Sequence, residues 1–212
     1  MTAMVKPDLM ALATQERTEL AEFLATLSPE QWDAPTLCSE WRVRDVVAHM
    51  FSYEELDRRG TFLRFAKGWF WPGRVNQVGV EEYATRTPRE LLTLVRANLR
   101  PRGLTAGFGG MIALVDGTIH HQDIRRPLGM PREIPAERLL PVLRLVFRAP
   151  QTRAFGRARG LRLVATNLDF THGAGPEVRG PAESILMAIT GRHGVVDELS
   201  GPGQPTLAFR IT

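Results

Sequence analysis

Asp116 and His120 stand four residues apart in Val115-Asp116-Gly117-Thr118-Ile119-His120-His121-Gln122-Asp123, and His49 is available from an earlier segment. On a helix, residues i and i+4 lie one above the other, so a carboxylate and an imidazole at this spacing can grip one ion. His49 lies in Trp41-Arg42-Val43-Arg44-Asp45-Val46-Val47-Ala48-His49-Met50, where apolar neighbours at helical spacing point it into a helix-bundle interior. Two histidines and one carboxylate leave a coordination position open, which separates catalytic from structural zinc. An Asp and a His four apart also occur by chance in many helices, so His49, Asp116 and His120 stand here as candidate metal ligands.

A metal-bound imidazole usually donates its second N–H to a carboxylate or carbonyl. Asp123, three residues after His120, and Asp45, four before His49, could each serve. Each also has a plainer role: a carboxylate in the first helical turn is favoured by the helix dipole, and Asp123 is spaced to pair with Arg126. His121 points about 100° away from His120 and is expected on the surface or a pocket rim. His172 and His193 lie near glycines, where hydrogen bonding in turns competes with direct function. Cys38 is either a reactive thiol ahead of a helix or inert packing. Trp69-Phe70-Trp71 is expected to pack across a bundle end; a substrate-cleft wall is the second reading, membrane contact the third.

These residues need helices to bring them together. Leu9, Leu12, Leu20, Phe23, Leu24 and Leu27 recur at steps that predict an amphipathic helix opened by Pro7. Ser28-Pro29-Glu30-Gln31 reads as a capping box for a short helix ending near Pro35. A second long helix is expected from about Trp41, carrying Val43, Val46, Val47, His49 and Met50. Thr87-Pro88-Arg89-Glu90 opens a third, which runs to Pro101, and a fourth carries Asp116 and His120 and ends before Pro127. Four such helices with apolar stripes inward make a bundle, in whose core facing helices build metal sites. Further on, Pro135 to about Phe147 reads as a helix kinked by Pro141. From about Arg157 the period becomes that of a strand through Leu161, Leu163, Ala165 and Asn167, up to the turn Gly173-Ala174-Gly175-Pro176. Pro181 to Thr190 then reads as a helix stopped by Gly191, and Thr206 to Ile211 as a last strand. A helical domain over residues 1–150 and a small α+β domain over 151–212 are expected.

At 43% apolar and 24% charged residues, the 212-residue chain has the composition of a globular protein with room for one good core and a smaller second domain. No run of 18 apolar residues suggests a membrane span and no basic-then-apolar N-terminal segment suggests a secretory signal, so the expected location is cytoplasmic, with no membrane partner. One cysteine excludes an internal disulfide framework. The net charge of +4 is carried by arginine, since Lys6 and Lys67 are the only lysines. The densest basic stretch, Arg138 to Arg162, could meet an anion, but no nucleic-acid motif accompanies it; a solvated face is the expectation, with no nucleic-acid partner.

The segments Trp41 to His49 and Asp116-Gly117-Thr118-Ile119-His120-His121-Gln122-Asp123-Ile124-Arg125-Arg126-Pro127-Leu128-Gly129 resemble the mycothiol-dependent maleylpyruvate isomerase family of the DinB-like superfamily. The resemblance extends to Gly173-Ala174-Gly175-Pro176-Glu177-Val178-Arg179-Gly180 and Ile189-Thr190-Gly191-Arg192. It implies a mainly α protein, a DinB-like four-helix bundle followed by a small α+β domain. It also implies a divalent metal, usually zinc, on His49, Asp116 and His120, with mycothiol as the thiol cofactor. Isomerisation or S-transfer on a small electrophilic substrate would follow, with Arg125 or Arg126 placed to hold a substrate carboxylate. In the family the carboxylate ligand is a glutamate, one methylene longer than Asp116, and Arg42 stands where a threonine often caps the helix. A metal-binding or small-molecule-binding protein of the same fold without catalysis is the alternative.

Overall fold

In a computed structural model of the chain, which describes residues 7–211, the first helix begins where Asp8 can cap it. The Asp8 carboxylate accepts from the Ala11 N–H at 3.0 Å, and α1 runs Leu9–Leu24. The Ser28 and Gln31 capping box then opens the single turn α2, Pro29–Trp32. Next comes α3, Val43–Phe51, which starts two residues later than the sequence suggested. Trp41 and Arg42 stay outside it, Arg42 being extended and bridged to Pro35.

Two helices follow that periodicity had not revealed, α4 (Arg58–Lys67) and α5 (Pro72–Glu82). α6, Pro88–Ala97, opens at the Thr87 and Glu90 box, and α7 covers Gly107–Arg125. The first turn of α7 is not regular: Phe108, Gly109 and Gly110 all have positive φ. Gly110 is needed there, because a Cβ would come within 3.0 Å of the Met10 backbone.

Four of these helices close into a ring: α1 packs along α7, α7 on α3, α3 on α6, and α6 back on α1. Their shared core includes Leu20, Leu24, Val43, Val46, Val47, Phe51, Leu91 and Val95. Each such side chain, fully buried, contributes about 1.5–3 kcal/mol, so the ring fixes the rotation of α3 and α7 and with it the aim of His49, Asp116 and His120. The α4 and α5 pair lies against the α3 side of the ring.

The chain divides between Pro131 and Arg132 rather than near Pro150. The helix expected from Pro135, here α8 (Ala136–Leu145), belongs to the second unit because it packs on α10. In that unit α9 (Ala154–Ala158) leads into β1 (Arg162–Ala165), β2 (Thr171–His172) and β3 (Glu177–Gly180), followed by α10 (Ala182–Ile189) and α11 (Gln204–Ile211). The sheet order is β2-β1-β3. β1 pairs antiparallel with β2, Leu163 opposite His172, and parallel with β3, Leu163 opposite Val178. The turn between β2 and β3 needs its glycines: a Cβ at Gly173 would lie 2.3 Å from the Leu161 carbonyl oxygen, and one at Gly175 2.2 Å from that of Gly160. The last segment is a helix, not the expected strand. Leu207 and Ile211, four apart, are buried while Phe209 between them is exposed, which is a helical rather than an alternating pattern. The first six residues and the last one of the expected domain ranges lie outside the described residues.

Candidate metal centre

The ring brings the three expected ligands together. His49 from α3 and His120 from α7 both direct Nε2 at the same oxygen of Asp116, at 3.7 and 3.5 Å. Those separations are too long for good hydrogen bonds. They are close to the spacing of about 3.3–3.4 Å between two atoms that share a tetrahedral ion at about 2.0–2.1 Å each. The three donor atoms lie within 4.8 Å of one another, a group that could hold a metal ion. A single Asp116 oxygen thus lies between both imidazoles.

His120 is held from behind. Its Nδ1 lies 2.8 Å from Asp123 Oδ2, so the carboxylate accepts from Nδ1–H and Nε2 is the nitrogen directed at Asp116. Asp123 is fully buried and also accepts from the Cys38 thiol at 3.2 Å. Its backbone carbonyl accepts from Leu37 N–H at 3.1 Å, which ties the loop before α3 to α7. Cys38, His120 and Asp123 form a second close group of three donor atoms. There, however, the contacts are at hydrogen-bonding distance and the groups satisfy one another.

Asp45 does not support His49. As the third residue of α3 it accepts from the Arg42 backbone N–H at 3.0 Å and from the Arg42 guanidinium at 2.9 Å, closing the helix start. His49 Nδ1 is buried and has no hydrogen-bond partner among the described residues. The ring is instead fixed by packing, with Trp41 at 4.9 Å and His120 edge-on at 5.0 Å between centroids. Trp41 is steadied by its indole N–H, which donates to Gln77 Oε1 of α5 at 3.3 Å.

Charge couples the cluster. Burial acts to raise the Asp116 pKa, but His120 and then His49 outweigh it and hold the carboxyl well below its ordinary range. Burial acts to lower that of His120, yet Asp116, Cys38 and Asp123 push it well above the ordinary histidine value. Asp116 is about one-third exposed, the opening of the centre to solvent. Tyr53, through burial and then, after the opposing effect of Arg64, through the charge of Asp116, is pushed up to about 12 and keeps its proton; its hydroxyl donates to Asn76 Oδ1 at 2.9 Å.

Other expectations are corrected. His121 is wholly buried, not on a rim: Nδ1 lies 2.8 Å from Glu16 of α1, and Nε2 accepts from Arg125 Nε at 2.9 Å. Arg125 is thereby committed, its guanidinium 3.8 Å from the Phe23 ring centroid and bonded to the Met130 carbonyl, and does not stand ready for a substrate carboxylate. Trp69, Phe70 and Trp71 do not pack across a bundle end; they are 80%, 60% and 65% exposed. In the second unit His172 stacks on Phe147 at 3.9 Å between centroids, and His193 is exposed. The Arg138 to Arg162 stretch forms no continuous stripe, since Arg138 is buried and Arg157 bonds the Thr152 carbonyl.

Sequence reasoning missed the Glu16 partner of His121. It also missed the buried pair of Arg17 and Glu54 at 2.6 Å, which binds α1 to the segment after α3. The only local signal for either was a charged residue on the apolar stripe of α1.

Residues 13–102 match the family model of the Mycothiol maleylpyruvate isomerase N-terminal domain. That segment is similar to this family's N-terminal domain. The match includes His49 and stops short of Asp116 and His120, so the pair on α7 is joined to it by the fold. Over 92% of both chains the structure resembles a mutant of the mycothiol-dependent maleylpyruvate isomerase, with a TM-score of 0.59 at 16% identity. A second crystal structure of the mycothiol-dependent maleylpyruvate isomerase gives 0.55 at 14% identity, again over 92% of both chains. At these identities the likeness is one of fold: a mainly helical protein with a small three-stranded sheet. No curated protein matches the chain. No helix among the described residues is long and apolar enough to cross a membrane.

Proposed function

We propose that the helical unit holds a divalent metal, zinc by its donor set, on His49 Nε2, His120 Nε2 and Asp116 Oδ1. On this reading the protein is a thiol-dependent enzyme, with mycothiol as the thiol, that carries out isomerisation or S-transfer on a small electrophile in the cytoplasm. The observation that carries the proposal is the convergence of three donor atoms from two helices at 3.5 and 3.7 Å, with Asp123 fixing the tautomer of one of them. The family match of residues 13–102 and the isomerase fold support it. When bound, such a metal supplies an open position that lowers the pKa of a thiol or water.

The remaining groups have definable parts. Asp123 keeps the His120 proton on Nδ1, Trp41 walls the His49 side, and the exposed edge of Asp116 admits a small molecule. A thiolate that adds to a cis-enone acid forms a C–S bond and turns the C=C into a rotatable single bond. Expulsion of the thiolate after rotation restores the double bond as the trans isomer and regenerates the thiol. If the carbanion formed on addition is protonated instead, the reaction ends as S-transfer.

Elemental analysis of the purified protein beside His49→Ala and His120→Ala tests the reading. Near-stoichiometric zinc in the wild type, lost in both variants, supports it and justifies assays with mycothiol and electrophiles. A wild type that stays metal-free after zinc is resupplied would sink it.

A further inference from the structure

The aromatic corner between α4 and α5 has no part in the metal centre. α4 has two unlike faces. Inward, Arg64 is buried and bonds Ser52 Oγ at 2.8 Å and Glu82 at 2.7 Å. Outward, where a surface helix ordinarily carries polar residues, stand Arg58, Arg59, Phe62, Leu63 and Ala66, all exposed. Phe62 and Leu63 are 62% and 48% exposed.

At the end of α4 the chain turns at Gly68, where a Cβ would come within 2.5 Å of Val75. Trp69 and Phe70 then both take left-handed φ angles, 54° and 56°, a conformation that non-glycine residues seldom adopt. The turn sends Trp69, Phe70 and Trp71 outward, and Phe70 meets Phe62 edge-on at 6.1 Å. Helix face and corner thus form one apolar surface.

Its charge selects the partner. Residues 58–75 contain five basic side chains and no acidic one. Arg64 and Lys67 pair with Glu82, while Arg58, Arg59 and Arg74 are exposed. Two copies meeting through this face would bring like charges together, whereas an anionic surface complements it. Tryptophan at the rim of an apolar face flanked by arginine is the pattern of a segment lying in a bilayer interface, its rings at headgroup depth and its cations beside anionic lipid. We propose that the α4–α5 corner seats this protein on the surface of an anionic lipid bilayer, without crossing it. The inference is independent of the metal reading.

The test is co-sedimentation of the full-length protein with phosphatidylcholine vesicles made with and without phosphatidylglycerol, together with tryptophan emission. Binding is expected to the anionic vesicles, weakened by salt and accompanied by a blue shift from Trp69 and Trp71. The double variant Trp69→Ser/Trp71→Ser should lower partitioning about tenfold or more, and Arg58→Gln/Arg59→Gln by roughly fivefold per arginine. Both should keep the metal content and helical signal of the wild type, since neither touches the centre or the core. No binding to anionic vesicles, or equal binding by the tryptophan variant, overturns the proposal. So does a concentration-dependent dimer that the tryptophan variant disperses, which would assign the face to a second copy.

Discussion

On one side of α7, His120 shares an Asp116 oxygen with His49 at 3.5 and 3.7 Å, too far apart to bond well and open to solvent through the carboxylate. On the other side, His121 is sealed, giving its proton toward Glu16 at 2.8 Å and accepting from Arg125 at 2.9 Å. Adjacent histidines on one helix thus live in opposite states of satisfaction. Because an arginine only donates, Nε2 of His121 must accept, which fixes a neutral imidazole between a carboxylate and a guanidinium. Donors that satisfy one another mark a structural node. Donors held near one another yet unsatisfied mark a place prepared for something else.

The contrast can be broken at several points. The largest effect should come from His120→Ala, which removes one of three donors and should lower zinc affinity by about a hundredfold or more, read by chelator competition; it also takes a hydrogen bond from buried Asp123, so the metal-free protein should unfold at lower denaturant as well. His121→Ala should separate the two readouts. It strands buried Glu16 and Arg125 and should cost about 3 kcal/mol in urea denaturation, with zinc stoichiometry kept. Loss of zinc in that variant would erase the distinction between the two sides. Asp123→Asn should weaken zinc by about 10–100-fold, because the amide holds the imidazole less firmly.

The smallest effect is graded by pH. The raised pKa of His120 means that a proton competes with metal at Nε2, so zinc affinity should climb with pH and level off above that pKa. Without metal, the signs follow from the same two groups. The His120 contribution to stability is complete below its ordinary value of 6.5 and fades as pH rises through the raised one. That of Asp116 is complete above 3.8 and fades as pH falls through its depressed value. The metal-free protein should therefore be most stabilised by this pair between 3.8 and 6.5, which thermal unfolding across pH would show.

Much of this centre was legible in the sequence because its information is local. Asp116, His120 and Asp123 are spaced four and three apart on one helix, and His49 sits on an apolar stripe, so periodicity alone aims them inward. For Asp45 the spacing allowed either support of His49 or a place in the first helical turn, and the start of α3 at Val43 decides for the second, where it bonds Arg42. The burial of His121 depends on Glu16, a partner on a helix at the far end of the unit's sequence, and no local period carries that. In the second unit, Thr206 to Ile211 satisfies both alternation and helical spacing over so short a run, and packing of Leu207 and Ile211 decides between them. The α4 and α5 helices escaped notice because the outward face of α4 breaks the rule on which periodicity relies: its exposed positions are apolar.

The turn between β2 and β3 also limits what descent with modification can do to the second unit. At Gly173 and Gly175 the nearest neighbours of any added side chain would be peptide oxygens at 2.3 and 2.2 Å, which cannot move aside without undoing the strand. At Gly156 there is open space and an ordinary φ. In a pool of random variants sorted for folded protein, positions 173 and 175 should stay monomorphic while position 156 drifts through the alphabet. The mutable surface of this small sheet is thus punctuated by two letters that its geometry does not permit to change.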